Sequence, residues 1–193
     1  MPTPTSMLRV ASLITLLGLL AVPAANGYRL EGVRWPTRTI RYYTETAPYS
    51  WSVDTAAYAW NTSGANVRFV KTSRARAKVV LGIRWYKVAG DAHVVARGTR
   101  IINAQVGLQT GHDRYELALI VAHELGHVLG LGHEYSSCAT MNPSVGDDHT
   151  TLCPPPPPGM WTCRLLQADD VRGAVRLYGG AVRPWRGSSF CRR

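Results

Sequence analysis

The sequence lacks the features that are typical of nucleic-acid-binding, membrane-spanning and disordered proteins. It contains no run of five like charges, although 22 Lys+Arg against 12 Asp+Glu give a formal net charge of +10, so nucleic-acid binding is not expected. It contains no apolar segment of the roughly 20 residues that a permanent membrane-spanning helix requires. Charged residues are few, at 18%, and hydrophobic residues make up 46%, which excludes wholesale disorder and suits one domain in 193 residues.

The longest apolar run covers residues 10–22 and follows Arg9. A basic residue, a short apolar core and small residues beyond it are typical of a secretory signal peptide, although an uncleaved anchor is the alternative. We expect residues 1–24 to be removed, with a cut as late as Gly27 left open, and residues 28–193 to form one secreted domain. That domain is expected to be a monomer with no stable membrane insertion after cleavage.

Cysteine is absent from the first two thirds of the chain, and the four cysteines that follow are Cys138, Cys153, Cys163 and Cys191. An even number in an exported chain predicts two disulfides, and three pairings are compatible with the sequence. A zinc site built from four thiolates is disfavoured because no CxxC spacing occurs.

Hydrophobic periodicity predicts an α+β domain. Alternating or β-branched runs predict strands, while apolar residues at helical spacing predict three helices. Ser52 is the expected N-cap of the first helix and Asp113 that of the second, and the proline run from Pro154 to Pro158 is expected to be an extended loop. The predicted strands are 38–44, 67–71, 78–85, 92–96 and 99–106, and the predicted helices are 53–63, 113–129 and 168–177.

The chemistry of this chain lies on the second helix and just beyond it. His123 and His127 are four residues apart, which places both imidazoles on one helical face, where they can bind one metal ion. Glu124 then projects beside the metal and is the candidate general base for metal-activated water. Gly130 allows a sharp turn that brings His133 back as a third ligand, leaving a fourth position open. The sequence therefore predicts one catalytic Zn²⁺ held by these three histidines.

The pattern HExxHxxGxxH, followed by Met141 in the segment ATMNP, resembles the metzincin metallopeptidases and their Met-turn. VAHELGHVLGLGHE with MNP is similar to the matrixins among them, and so, more loosely, are WPTRTIRYYT and AYAWNTSGANVRFVKT; the similarity covers about residues 34–179. It implies a zincin-like fold: a twisted, mostly parallel five-stranded sheet with an antiparallel edge strand, an active-site helix and a C-terminal helix.

Several features depart from the matrixin pattern. Glu134 after the third histidine is more like the astacins, yet no tyrosine lies two residues beyond Met141. No cysteine-switch propeptide is recognisable, so we expect no latency of that kind. A bound Ca²⁺ is possible, but no motif in the sequence supports it. Asp91 with His93, or His112 with Asp113, are candidate ligands of a second metal ion, although loop solvation and helix capping account for these residues equally well.

The resemblance implies a secreted zinc endopeptidase that binds an extended peptide or protein substrate by pairing it with an edge strand. Residues 92–96 or 99–103 are the candidates for that strand. The alternatives are a catalytically weak zincin-fold binding module, which the intact Glu124 disfavours, and a basic protein that binds anionic polymers through a structural zinc.

Overall fold

The computed structural model describes residues 27–84, 88–143, 152–153 and 165–183. The expected signal peptide, the proline loop 154–158 and the cysteines Cys163 and Cys191 lie outside the described residues. Among the described residues, no helix has the length and hydrophobicity needed to cross a membrane.

A five-stranded sheet forms the framework of the domain. Its strands are β2 (Thr39–Thr44), β3 (Arg68–Lys71), β4 (Val79–Ile83), β5 (Gly90–Arg97) and β6 (Arg100–Leu108). They are arranged in the order β3-β2-β4-β6-β5, with the first four parallel and β5 antiparallel to β6. The expected mostly parallel sheet with an antiparallel edge strand is confirmed, and β5 is that edge. The other candidate for the edge, residues 99–103, overlaps β6 inside the sheet.

Three helices complete the α+β fold: α1 (Ser50–Thr62), α2 (Arg114–Leu129) and α3 (Ala168–Tyr178). A further short antiparallel pair, β1 (Arg29–Leu30) with β7 (Leu131–Gly132), escaped the sequence analysis because two-residue strands carry no periodic signal. The expected N-cap of α1 is wrong: a 3₁₀ turn runs directly into the helix, so Tyr49 is the cap and Ser52 lies inside, donating a hydrogen bond to the Arg114 carbonyl at 2.8 Å.

Helix α2 is held in place by buried aromatic side chains. The indole of Trp60 in α1 donates to the Ala122 carbonyl at 3.0 Å. The last carbonyls of a helix have no partner within it; here the Trp35 indole donates to Val128 at 2.8 Å and the Tyr178 hydroxyl to Leu129 at 2.8 Å. The helix that carries the HExxH segment is therefore fixed from several sides.

Candidate metal centre

Helix α2 and the turn after it bring the three predicted histidines together. Asp113 caps the helix as expected, accepting hydrogen bonds from the Tyr115 and Glu116 amides, and His123 and His127 follow one turn apart. The chain then reverses at Gly130, whose φ of 95° lies in the left-handed region that favours glycine. A side chain there would also overlap the Val33 carbonyl. The reversal carries His133 back towards the helix.

The Nε2 atoms of the three imidazoles point at one another. Nε2 of His127 lies 3.1 Å from Nε2 of His123 and 3.1 Å from Nε2 of His133. Two nitrogens bound to one tetrahedral zinc ion at about 2.0–2.1 Å are about 3.3–3.4 Å apart, close to this separation. The three histidines thus form a group that could hold a metal ion.

The protonation of the rings supports the same conclusion. Nδ1 of His123 donates to the Thr140 carbonyl at 2.7 Å, and Nδ1 of His127 donates to the Leu131 carbonyl at 2.9 Å. A neutral imidazole that carries its proton on Nδ1 presents a lone pair at Nε2. Lone pairs that face each other at 3.1 Å repel unless a cation lies between them, so this donor set fits zinc.

Burial keeps the histidines neutral. Desolvation, with a smaller contribution from the neighbouring His127, lowers the pKa of His123 to about 4. Desolvation also lowers the pKa of His127 and of His133 below the ordinary value of 6.5. A metal ion consequently meets little competition from protons at neutral pH.

The predicted Met-turn lies directly beneath α2. Met141 is 2% exposed, and a side chain at Gly126 would overlap its Sδ atom. The residue before it, Thr140, supplies the carbonyl that orients His123. The turn therefore both packs under the centre and fixes one imidazole.

The carboxylate of Asp170 in α3 anchors this turn. It accepts hydrogen bonds from the Thr140 amide at 2.8 Å and from the Met141 amide at 3.0 Å, and it also accepts one from the Gln167 amide at 2.8 Å. Asp170 could not be predicted from the sequence, because an acidic residue in the first turn of a helix is ordinary and its two partners in the Met-turn lie 29 and 30 residues earlier in the chain.

Glu124 lies beside the histidines in a largely apolar setting. Its side chain is 5% exposed, and a Cβ atom at Gly90 would lie 2.6 Å from Oε1, so β5 passes close above it. Burial, and secondarily the charge of Asp91, raises the pKa of Glu124 in the metal-free site to about 8. A carboxyl tuned upward in this way can hold or release a proton near neutral pH.

The three histidines and Glu124 open into one cleft of about 1160 Å³ between α2 and the edge strand β5. The Ala89 carbonyl accepts a hydrogen bond from the Gln109 amide at 2.9 Å, which shows which residues of β5 direct their backbone groups towards β6. Because antiparallel ladders alternate, Gly90, Ala92 and Val94 turn their backbone N–H and C=O groups away from β6, towards the cleft edge.

One disulfide closes the segment that carries the Met-turn. Cys138 and Cys153 are bonded and lie 15 positions apart in the sequence, which resolves one pair that the sequence left open. One of the two candidate second-metal pairs has structural contacts of its own: His112 lies 3.0 Å from Glu116, and Asp113 caps α2.

Comparison with known proteins agrees with this geometry. A sequence model of the matrixin family matches residues 50–179. Metalloendoproteinase 1 of Glycine max is 30% identical over 100 residues, which cover 52% of this chain and 29% of that protein. Macrophage metalloelastase of Oryctolagus cuniculus is 42% identical over 65 residues, which cover 33% of this chain and 11% of that protein. The matched stretches therefore span less than a third of either relative.

Proposed function

Because this chain belongs to the matrixin family, we propose that it is a secreted zinc-dependent endopeptidase in which Glu124 acts as the general base. The observation that carries the proposal is the convergence of three imidazole Nε2 atoms and one buried carboxyl on a single cleft. The two relatives, named a metalloendoproteinase and a metalloelastase, point to the same chemistry.

His123, His127 and His133 would hold the zinc ion, leaving its fourth position towards the cleft. A zinc ion held by three protein ligands supplies Lewis acidity, which makes water more acidic and polarises a carbonyl group. The protein contributes the orientation of the ligands, because the Thr140 and Leu131 carbonyls fix two of the imidazole rings.

Glu124 would move the proton. Its carboxylate accepts the proton of the attacking water at Oε1 or Oε2 and delivers it to the nitrogen of the departing amine. A positioned acid–base group of this kind contributes typically about 10²–10⁴-fold to the rate. The low exposure of Glu124 limits competing proton exchange with bulk water.

The substrate would lie extended along β5. The outward backbone groups of Gly90, Ala92 and Val94 can hydrogen-bond a peptide as an added antiparallel strand, which places its backbone across the mouth of the metal centre. This arrangement accepts many sequences, since the bonds are made by the main chain. It suits internal segments of an unfolded or flexible protein.

Hydrolysis of a denatured protein tests the proposal. The zinc-loaded protein should cleave it, a chelator should abolish cleavage, and restored zinc should recover it. Glu124→Gln should retain zinc but lose at least about two orders of magnitude in kcat/KM. Glu45→Gln is the matched control, because Glu45 pairs with Arg74 and Arg84 and does not line the cleft. If no polypeptide is cleaved with zinc bound, the chain is a binding module instead.

A further inference from the structure

The cleft has the opposite charge to the chain. The protein carries a formal net charge of +10. Yet, apart from the histidines, each charged side chain among the described residues lining the cleft is a carboxylate: Glu31, Asp91, Glu116 and Glu124. These carboxylates outnumber the two charges of a bound zinc ion even when Glu124 is counted as neutral. A cleft with low-dielectric walls concentrates such a field.

Two of these carboxylates flank the histidines from different elements. Glu31 follows β1, its amide donates to the Gly130 carbonyl at 2.9 Å, and its side chain lies against Gly132, where a Cβ atom would overlap it. It lines the same cleft as His127 and His133. Asp91 lies on the edge strand β5 and lines the cleft next to Gly90, where a Cβ atom would contact Glu124.

Neither side chain has a structural role in the described part of the chain. Both are exposed, and no cationic partner contacts either of them there. Glu116 differs, since it lies 3.0 Å from His112. A positively charged ligand would compensate for both carboxylates.

We propose that the cleft selects peptides with lysine or arginine side chains close to the cleaved bond, and that Glu31 and Asp91 determine this specificity. The inference rests on the proposed endopeptidase function and names its substrate class. The two carboxylates line the same cleft from different elements, Glu31 after β1 and Asp91 on β5, so a basic side chain can be favoured at more than one position near the bond. Each contact is an exposed ion pair, whose contribution is modest and weakened by salt.

A peptide series tests the inference. One scaffold, acetylated at its N-terminus and amidated at its C-terminus, carries Lys, Gln or Glu at each position in turn, so that only side-chain charge changes. We expect the order Lys, then Gln, then Glu in kcat/KM, with a Lys-to-Gln ratio of about 2–5 for each carboxylate engaged. The ratio should shrink in high salt.

The variants Glu31→Gln and Asp91→Asn should each lower that ratio, and the double variant should bring it close to one. Glu45→Gln should leave it unchanged. Using a ratio cancels any effect of Asp91 on Glu124, since that effect is common to all peptides. Equal cleavage of the three peptides, or a Lys preference that survives in the double variant, overturns the inference while leaving the endopeptidase intact. Absence of cleavage for every peptide contradicts the proposed function instead.

Discussion

The carboxylate of Asp170 accepts a hydrogen bond from the Thr140 amide at 2.8 Å, and the Thr140 carbonyl in turn accepts one from Nδ1 of His123 at 2.7 Å. A side chain of the last described helix thus reaches the proposed metal ligand through the backbone of a single residue, Thr140. The zinc affinity of the centre and the packing of α3 are consequently linked.

Asp170→Ala should lower both the zinc affinity of the centre and the stability of the fold. It leaves the buried amides of Thr140 and Met141 and the half-buried amide of Gln167 without this acceptor, which should lower the free energy of unfolding by about 3–5 kcal/mol. Denaturant unfolding measures the stability, and competition with a chelator measures zinc affinity. Asp170→Asn keeps one acceptor oxygen and should fall between wild type and Asp170→Ala. Unchanged zinc affinity in a folded Asp170→Ala protein would show that the turn does not orient His123.

The metal-free protein should be stabilised at alkaline pH by Glu124→Gln. Because burial raises the pKa of Glu124 to about 8 from an ordinary 4.5, the folded state retains a proton that the unfolded state releases. Stability contributed by the protonated form is therefore lost as pH rises through this interval. Glu124→Gln removes the titration and should be more stable than wild type by about 2–4 kcal/mol at pH 8, with the difference shrinking towards pH 4.5. Chemical denaturation of both proteins in the presence of chelator measures it; a constant difference across this range would contradict the prediction.

Gly126→Ala should disrupt the centre without removing a ligand. The new methyl group overlaps Sδ of Met141, so the Met141 side chain must leave its place under α2 or move the turn with it, and overpacking of this kind costs about 1–3 kcal/mol. In this variant, we expect the zinc affinity and the free energy of unfolding to fall together. The double variant Gly126→Ala with Met141→Ala supplies the room and should lose less than the sum of the single variants. Strict additivity would mean that the two residues do not interact.

Substrate pairing with β5 should show a two-residue period. A single N-methyl group moved along a good substrate removes one backbone donor at a time, and only alternate amides of an added strand face the open edge. Along the part of the peptide that pairs with β5, the loss of cleavage rate caused by each N-methyl group should therefore alternate between strong and weak from one residue to the next. The unmethylated peptide is the reference. A loss confined to the residues flanking the cleaved bond would argue against strand addition.

The disulfide pattern should include the Cys138–Cys153 bridge, with Cys163 and Cys191 as the second pair. A non-reduced digest analysed by mass spectrometry identifies both, and alkylation without reductant should label no cysteine. Closing a 15-residue loop contributes about 3 kcal/mol by restricting the unfolded chain, so the double variant Cys138→Ser with Cys153→Ser should lose about 2–3 kcal/mol. A free Cys163 or Cys191 would refute the two-disulfide expectation.

The sequence predicted those parts of the centre that depend on local spacing. The bounds of α2, its Asp113 cap and the reversal at Gly130 follow from helix periodicity and capping chemistry. The identity of the edge strand could not be predicted from the sequence, because residues 92–96 and 99–103 have a similar alternation of apolar and polar side chains. Only the order of the strands in the sheet distinguishes them. Contacts between distant segments, such as Asp170 with the Met-turn or Glu31 with the cleft, leave no periodic trace in the sequence.

Helix α3 holds the Met-turn, and it is the last described element to be synthesised. A nascent chain that has emerged as far as residue 143 already contains the three histidines and Glu124, but not the carboxylate of Asp170, which arrives 30 residues after its partner Thr140. Translation proceeds from the N-terminus, so the anchored form of the turn comes into existence only after Asp170 has been added. The proposed metal centre is therefore completed after the five strands of the main sheet and the helices α1 and α2 have already been synthesised.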